Sequence, residues 1–337
     1  MISRPTRRAF GVLIVCLGVS ALVQADTFIK IATVAPDSSI WTRTLREMAD
    51  GWKRGTAGRI TTRVQTGTTT DEDTIVRHIR SGSVFQAGQI SAIALAHVDE
   101  AFSLFGIPMF FRSQEELVFV LQKIGPDLER RLEAKGLKVV HWGYAGWVHI
   151  FSRKPILTPD DLKKVRLFTS AGDARMQTMY RQNGFNPTPG TSAQMLSSLM
   201  TGMIDAMPAT PLAVQMFRWH EHAPYMMDLG FAPLIGATVI GVDTWRRIPE
   251  GDQKVILDEG KKAESRLATT VPSLEREAIG LMKASKGLIV SATTISEWGR
   301  TADALSAAMR GQLVPENVYD AAIRERNAFR AGAVASK

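Results

Sequence analysis

Hydrophobic and polar residues alternate through residues 28–34 (FIKIATV), the period-two pattern of a half-buried strand. The period then changes. After Pro36-Asp37-Ser38, Trp41, Leu45, Met48 and Trp52 recur at helical spacing, which predicts a helix over 40–53. Thr56-Ala57-Gly58 stops it, and 60–65 (ITTRVQ) reads as a second strand. The alternation continues with a helix over 71–81, a buried strand over 90–94 (ISAIA) and a helix over 115–134 broken at Gly125-Pro126. Strands are predicted over 137–141 and 147–152. From Gln253 onward the chain is mostly helical, with a long segment over about 251–285 broken at Pro272 and two further amphipathic helices. Strands alternating with helices argue an α/β sheet rather than a β sandwich.

Within residues 161–170 (DLKKVRLFTS), Arg166 and Phe168 share one face of a short strand, so that face presents either a cation or a ring. The chain also repeats a plan. Residues 74–82 and 194–202 each close a helix on a glycine, Gly82 and Gly202, ahead of an apolar run. The match is either chance, since helix–Gly–strand is common in α/β proteins, or the trace of two related lobes.

Residues 1–25 read as a secretory signal: Arg4, Arg7 and Arg8 precede an apolar stretch over 9–23, and Val23-Gln24-Ala25 forms a small-residue cleavage site before Asp26. Thr6-Arg7-Arg8-Ala9-Phe10 resembles a twin-arginine signal, which leaves the export route open. Cys16 is the single cysteine, and it lies inside that segment. The mature chain is thus expected to contain no disulfide, zinc–cysteine site or thiol nucleophile, and at about 310 residues it is long enough for two hydrophobic cores. Loss of the three arginines lowers the formal charge from +8 to +5. The remaining basic residues are interspersed with acids, as in Arg43, Arg46, Glu47, Asp50 and Lys53, a pattern that argues against a nucleic-acid partner.

Candidate chemistry is sparse. His220-Glu221-His222 is the one cluster among six histidines; its i, i+2 spacing does not share a helix face, so it reads as a solvated helix end and not a metal site. His78, His97, His141 and His149 have no partner visible in the sequence. Residues 66–73 (TGTTTDED) end a strand and precede a helix, and read as an N-capping loop able to line a cleft. No cofactor motif and no paired catalytic carboxylates are present. Large apolar residues are mostly core. Trp142, Tyr144, Trp147, Phe168 and Met207 nevertheless fall at strand ends, which makes them candidates for a cleft lining.

The order of several motifs resembles the periplasmic substrate-binding proteins of TRAP transporters (DctP type). The residues that carry it are Ala35-Pro36-Asp37-Ser38-Ser39-Ile40-Trp41, residues 106–115 (GIPMFFRSQE), residues 155–163 (PILTPDDLK), Gly184-Phe185-Asn186-Pro187-Thr188-Pro189, and Trp245 followed by Ile248-Pro249-Glu250-Gly251-Asp252-Gln253. The resemblance implies a two-lobe α/β periplasmic binding-protein fold with mixed sheets, hinged by crossing strands and a long helix. It places residues 26–148 and 236–277 in lobe I, and 149–235 and 278–330 in lobe II. It also implies no catalysis and no cofactor, a periplasmic location, a small-molecule ligand held between the lobes, and delivery to TRAP membrane permease subunits.

The family's carboxylate-binding arginines align with Phe168, in the strand after the Pro-Asp-Asp-Leu-Lys turn, and with Trp147 on the crossover strand; Arg166 falls on a solvated position. The family's polar residues after the Gly-x-x-Asp turn are replaced by Met207-Pro208-Ala209-Thr210. Burying a ligand carboxylate without its cation costs several kcal/mol, whereas rings add apolar contact. The expectation is therefore a cleft lined by Trp147, Phe168, Met207 and Tyr144, with Trp41 and Thr210 at the rim. Its ligand is expected to be apolar or amphipathic, as in the branch with a tetratricopeptide-repeat periplasmic partner. Two alternatives stand beside it. A carboxylate receptor would need Arg175 or Arg181 to reach the cleft, and a secreted hydrolase would need a metal at His220 and His222 or a Ser, His and Asp pocket.

Overall fold

The computed structural model describes residues 26–67, 71–293 and 295–335; the expected signal segment and Thr68 to Thr70 of the capping loop lie outside the described residues. The opening strand β1 (Thr27–Thr33) inserts Ile29 and Ile31 fully into a core and pairs in parallel with β2 (Ile60–Gln65) and β3 (Ala87–Ser91). Between β1 and β2 the helix Ile40–Gly55 starts where the Ser39 hydroxyl accepts from Thr42 N at 3.2 Å, and it buries Leu45, Met48 and Trp52. Asp71 caps the helix Glu72–Ser81 in the same way.

The expected strand over 90–94 is corrected. β3 ends at Ser91, whose hydroxyl caps a helix over Ala92–Val98, and Glu72 accepts from both Ser91 N (2.8 Å) and Ser91 Oγ (2.5 Å). A short apolar run is the pattern for which period alone does not separate strand from helix. The expected break between 141 and 147 is also absent. A single sixteen-residue strand, β4 (Leu137–Ser152), spans roughly 50 Å, interrupted only by bulges between Val139 and His141 and between Tyr144 and Gly146.

The remaining strands are β5 (Arg166–Ser170), β6 (Asn186–Gly190), β7 (Ala206–Ala209), β8 (Tyr225–Met227), β9 (Ala232–Gly241) and β10 (Ile289–Ser291). The sheet order is β2-β1-β3-β9-β4-β7-β5-β6, with β8 on the end of β4 and β10 beside it. From Leu137 to Val148, β4 pairs antiparallel with β9; from His149 to Ser152 its partner is β7. One strand thus belongs to both lobes and changes partner between Val148 and His149. The two repeated segments follow one backbone plan, each ending on a left-handed glycine, Gly82 (φ 63) and Gly202 (φ 70), before β3 and β7 respectively.

Neither expected proline break occurs. Gln114–Ala134 and the 35-residue helix Glu250–Ala284 run on through Pro126 and Pro272. An interior proline costs about 3 kcal/mol, which the packing of a long helix offsets. The Glu250–Ala284 helix lies along β4 so closely that a Cβ on Gly260 would come within 2.7 Å of the Val140 carbonyl oxygen. The last helix also departs from the expected lobe assignment. Ile295–Met309 joins the second lobe, where Trp298 Nε1 donates to the Leu157 carbonyl at 2.8 Å. Glu316–Ala335 instead returns to the first lobe. Arg330 Nε donates to buried Glu116 at 2.7 Å, Phe329 stands 5.4 Å from Phe119, and Arg326 stacks 4.4 Å over Phe110.

Candidate functional site

A cavity of about 220 Å³ opens where the two lobes face each other. The first lobe contributes Ile93, His97, Phe102 and Phe105, and β9 contributes Ile235. The second lobe contributes Leu167, Phe168, Thr169 and Ser170 of β5 with Arg175, Met176 and Tyr180, and β4 supplies Val148 and Ile150 at the crossing. The lobes meet along its rim. A Cβ on Gly172 would lie 3.5 Å from His97 Cε1, and one on Gly106 would lie 3.7 Å from Met176 Cε.

β5 owes its position to the turn before it. Thr158 and Asp161 form a reciprocal capping box on Pro159–Lys163, fixing where the chain re-enters the sheet. At the entrance Arg166 is about half exposed, and it forms a two-bonded pair with Asp205, Nε to Oδ2 at 2.7 Å and Nη2 to Oδ1 at 2.8 Å. Two residues on, Phe168 is 8% exposed and lines the cavity. Phe168 borders the cavity while its ring packs in the second lobe's core with Phe151 and Met207, and Arg166 stays outside.

Of the six residues expected at the site, Phe168 alone lines the cavity. Trp147 lies against Gly230, where a Cβ would come within 1.9 Å of its Nε1. Met207 is fully buried in the second lobe's core, and Tyr144 is buried in the main core. Thr210 is buried as the cap of Pro211–Met216, accepting from Ala213 N at 3.4 Å, and Trp41 packs on the main core. The physical reason is strand parity. On β4 the cavity receives Val148 and Ile150, and on β7 it receives Pro208, so Trp147 and Met207 point to the opposite faces. The bulge between Tyr144 and Gly146 shifts that parity, and nothing in the residue types announces it.

The polar groups of the cavity are few. Arg175 is in the first turn of Ala174–Gln182, a helix capped by Asp173, whose carboxylate accepts from Met176 N at 3.0 Å. Its guanidinium reaches across to the Glu100 carboxylate of the first lobe and also donates to the Gln312 carbonyl. His97 Nδ1 lies 2.8 Å from Asp73 Oδ1. The Thr169 hydroxyl is buried and has no hydrogen-bond partner. Arg181 stays on its own helix, near Gln177. At His220-Glu221-His222, Glu221 pairs with Arg218, and among the described residues no group of three His, Cys, Asp or Glu is placed to hold a metal.

Behind the cavity the long helix holds the crossing strand by its backbone. Glu275, 8% exposed, accepts from Trp147 N at 2.9 Å. Burial pushes its carboxyl up to about 7, against the opposing pull of that bond. Gly146, at φ +119, leaves room for it: a Cβ there would come within 2.3 Å of Glu275 Oε1. One helical stretch earlier Glu264 is also raised by burial, and it is hydrogen-bonded to the backbone of Trp142.

Residues 31–312 match the family described as bacterial extracellular solute-binding protein, family 7. The 2,3-diketo-L-gulonate-binding periplasmic protein of Escherichia coli K12 is 28% identical over 207 residues, which is 54% of this chain and 62% of that protein. The C4-dicarboxylate-binding periplasmic protein of Vibrio cholerae is 25% identical over 144 residues, 42% of each chain. The chain therefore spans less than two thirds of the length of these curated relatives. Among solved structures, a Bordetella pertussis extracytoplasmic solute receptor binding pyroglutamic acid superposes with a TM-score of 0.79 at 23% identity, over 89% of this chain and 99% of the other. A Haemophilus influenzae TRAP periplasmic solute-binding protein with bound L-gulonate gives 0.80 at 20%, over the same shares. These likenesses establish the two-lobe α/β periplasmic binding-protein fold. With its family match covering most of its length, the chain belongs to family 7 of the bacterial extracellular solute-binding proteins.

Proposed function

We propose that this receptor binds a small organic acid whose carboxylate is held by Arg175 between the lobes, and that it delivers the acid to TRAP membrane permease subunits. The observation that carries this reading is the position of Arg175, the one guanidinium among the described residues that line the cavity. In this structure its partner Glu100 is 56% exposed and Arg175 itself 51%. A pair so open to water is worth at most about 1 kcal/mol, so a ligand carboxylate shut away from solvent displaces Glu100 cheaply. Asp173 does not compete, because its charge caps the helix.

The apolar-ligand expectation rested on rings replacing both arginines, and one of those rings, Trp147, is not at the cavity. The relatives named above take a diketogulonate, a C4-dicarboxylate, pyroglutamate and gulonate, all acids. The repeat-protein partner belonged to the apolar reading and is not carried forward. The lobe division at residues 148 and 149 is the hinge we propose for closure.

Two expected results follow. A denatured extract of receptor isolated from its own periplasm is expected to release a small organic acid in mass spectrometry, and recovery of a long-chain lipid would overturn the assignment. Arg166→Ala is expected to leave affinity for that acid within about twofold, because the Asp205 pair is at the surface. A large loss in calorimetry would place Arg166 in the site.

A further inference from the structure

The second lobe carries an apolar protrusion that its own fold does not cover. Leu196 and Met200 share one face of the short helix Met195–Thr201, and Met203 follows the glycine that closes it. Met200 is 61% and Met203 59% exposed, more than any other large apolar side chain among the described residues. The sister segment of the first lobe shows that the backbone plan does not require them. Counted from the left-handed glycines Gly82 and Gly202, Met200 and Met203 correspond to Arg80 and Ser83, both exposed and polar, and exposed Leu196 corresponds to buried Val76. Cations stand around the protrusion. A Cβ on Gly202 would lie 2.7 Å from Arg153 Nη1 and 3.8 Å from Arg166 Nη2. Backbone bonds of 2.9 Å, from Arg153 N to the Asp205 carbonyl and from Asp205 N to the Arg166 carbonyl, tie the ends of β4, β5 and β7 together at this pole. Arg153 and Lys154 follow β4, Lys164 comes just before β5, and all three are exposed. Among the described residues none of the three is in an ion pair, and Asp205, the acid beside Arg153, is taken up by two bonds from Arg166.

We infer that this pole of the second lobe docks on an anionic lipid surface, with Met200, Met203 and Leu196 entering the headgroup layer and Arg153, Lys154 and Lys164 meeting the lipid phosphates. Charge decides the occupant. Each cation close to a membrane adds to the attraction of anionic headgroups, and these three have no acid of their own to neutralise them. Shape agrees with charge. A protruding apolar tip flanked by cations needs no matching groove in a bilayer, where it buries its apolar side among the headgroups and keeps its charges at the surface. Methionine suits such a tip, because its unbranched, polarizable side chain adapts to an irregular surface. The contact also leaves the ligand site free. The cavity takes Leu167 to Ser170 of β5, whereas the docking pole lies beside Arg166, the residue that opens the strand.

The test sediments the full-length mature receptor at low salt with vesicles of phosphatidylglycerol and phosphatidylcholine in equal parts, and with vesicles of phosphatidylcholine alone. Binding to the anionic vesicles is expected to be at least about tenfold tighter. Arg153→Glu with Lys154→Glu is expected to weaken it about tenfold or more, and Met200→Ser with Met203→Ser about fivefold. Lys254→Glu with Lys261→Glu is the charge-matched control on the long helix, where these lysines are 81% and 78% exposed, and it is expected to stay within about twofold. All of these positions are exposed, and urea denaturation checks that each variant folds. Equal or undetectable binding of the wild type to both kinds of vesicle would overturn the inference. So would an equal loss in the two charge-reversed pairs, the mark of general attraction to a basic protein, or unchanged binding in the methionine pair. A dimer in sedimentation velocity that the methionine pair dissolves would give this face to a second copy of the chain and overturn the inference as well.

Discussion

Arg175→Met is expected to weaken binding of the ligand acid by at least about 100-fold while leaving the unfolding transition nearly in place. The affinity loss follows from stranding a carboxylate in a closed, largely apolar cavity. Removing one member of a desolvated charge pair costs about 2–5 kcal/mol, and each 1.4 kcal/mol is tenfold. The small effect on stability follows from the free protein, where Arg175 and Glu100 are both more than half exposed and such a pair contributes little. Arg175→Lys is expected to fall between the two, keeping a charge but losing the planar fork that meets both carboxylate oxygens. Calorimetry with urea denaturation separates the two effects. Binding by Arg175→Met within threefold of the wild type would show that the carboxylate is held elsewhere.

Glu275→Gln is expected to stabilise the protein above neutral pH and to leave it unchanged near pH 4.5. Burial raises the Glu275 carboxyl from an ordinary 4.5 to about 7. Between those values the folded chain keeps a proton that the unfolded chain has released, so stability falls as pH rises through the window. Above pH 7 the ionised, buried carboxylate costs on the order of 3 kcal/mol. Glutamine keeps an oxygen to accept from Trp147 N, the bond that Glu275 makes at 2.9 Å, and carries no charge. Its stability profile is therefore expected to be flatter between about pH 4.5 and 7, with a gain of about 2–3 kcal/mol at pH 8. Parallel wild-type and variant profiles in urea titrations would show that Glu275 is not buried as a titrating group. Glu275 holds the backbone of Trp147 just before β4 changes partner from β9 to β7.

Much of this architecture is visible along the chain. The alternation at 27–33 and the Trp41-Leu45-Met48-Trp52 stripe specify a strand and a helix, because one face of each is buried and the other is not. The errors came where tertiary packing outweighs local signal. Pro126 and Pro272 are strong local breakers, yet both sit in helices whose long packed faces hold them. Aromatics and glycines at 142–146 look like a loop, but all of them except Ala145 are paired to β9, which carries the strand through.

The site divides along the same line. The register of Phe168 is legible because a capping turn seven residues earlier sets it. The faces on which Trp147 and Met207 lie are not, since they depend on a bulge and on one-residue parity. Arg175 was visible as a residue, but only the approach of its helix to Glu100 brings its guanidinium between the lobes.

The central claim is that the cleft recognises a carboxylate. It is tested most directly by calorimetry on the wild-type receptor with the acid recovered from it and the primary amide of that acid, two ligands of nearly the same shape that differ in charge. The acid is predicted to bind about 100-fold more tightly than the amide, with the difference shrinking to a few fold in Arg175→Met. Equal affinity of acid and amide for the wild type would contradict the account.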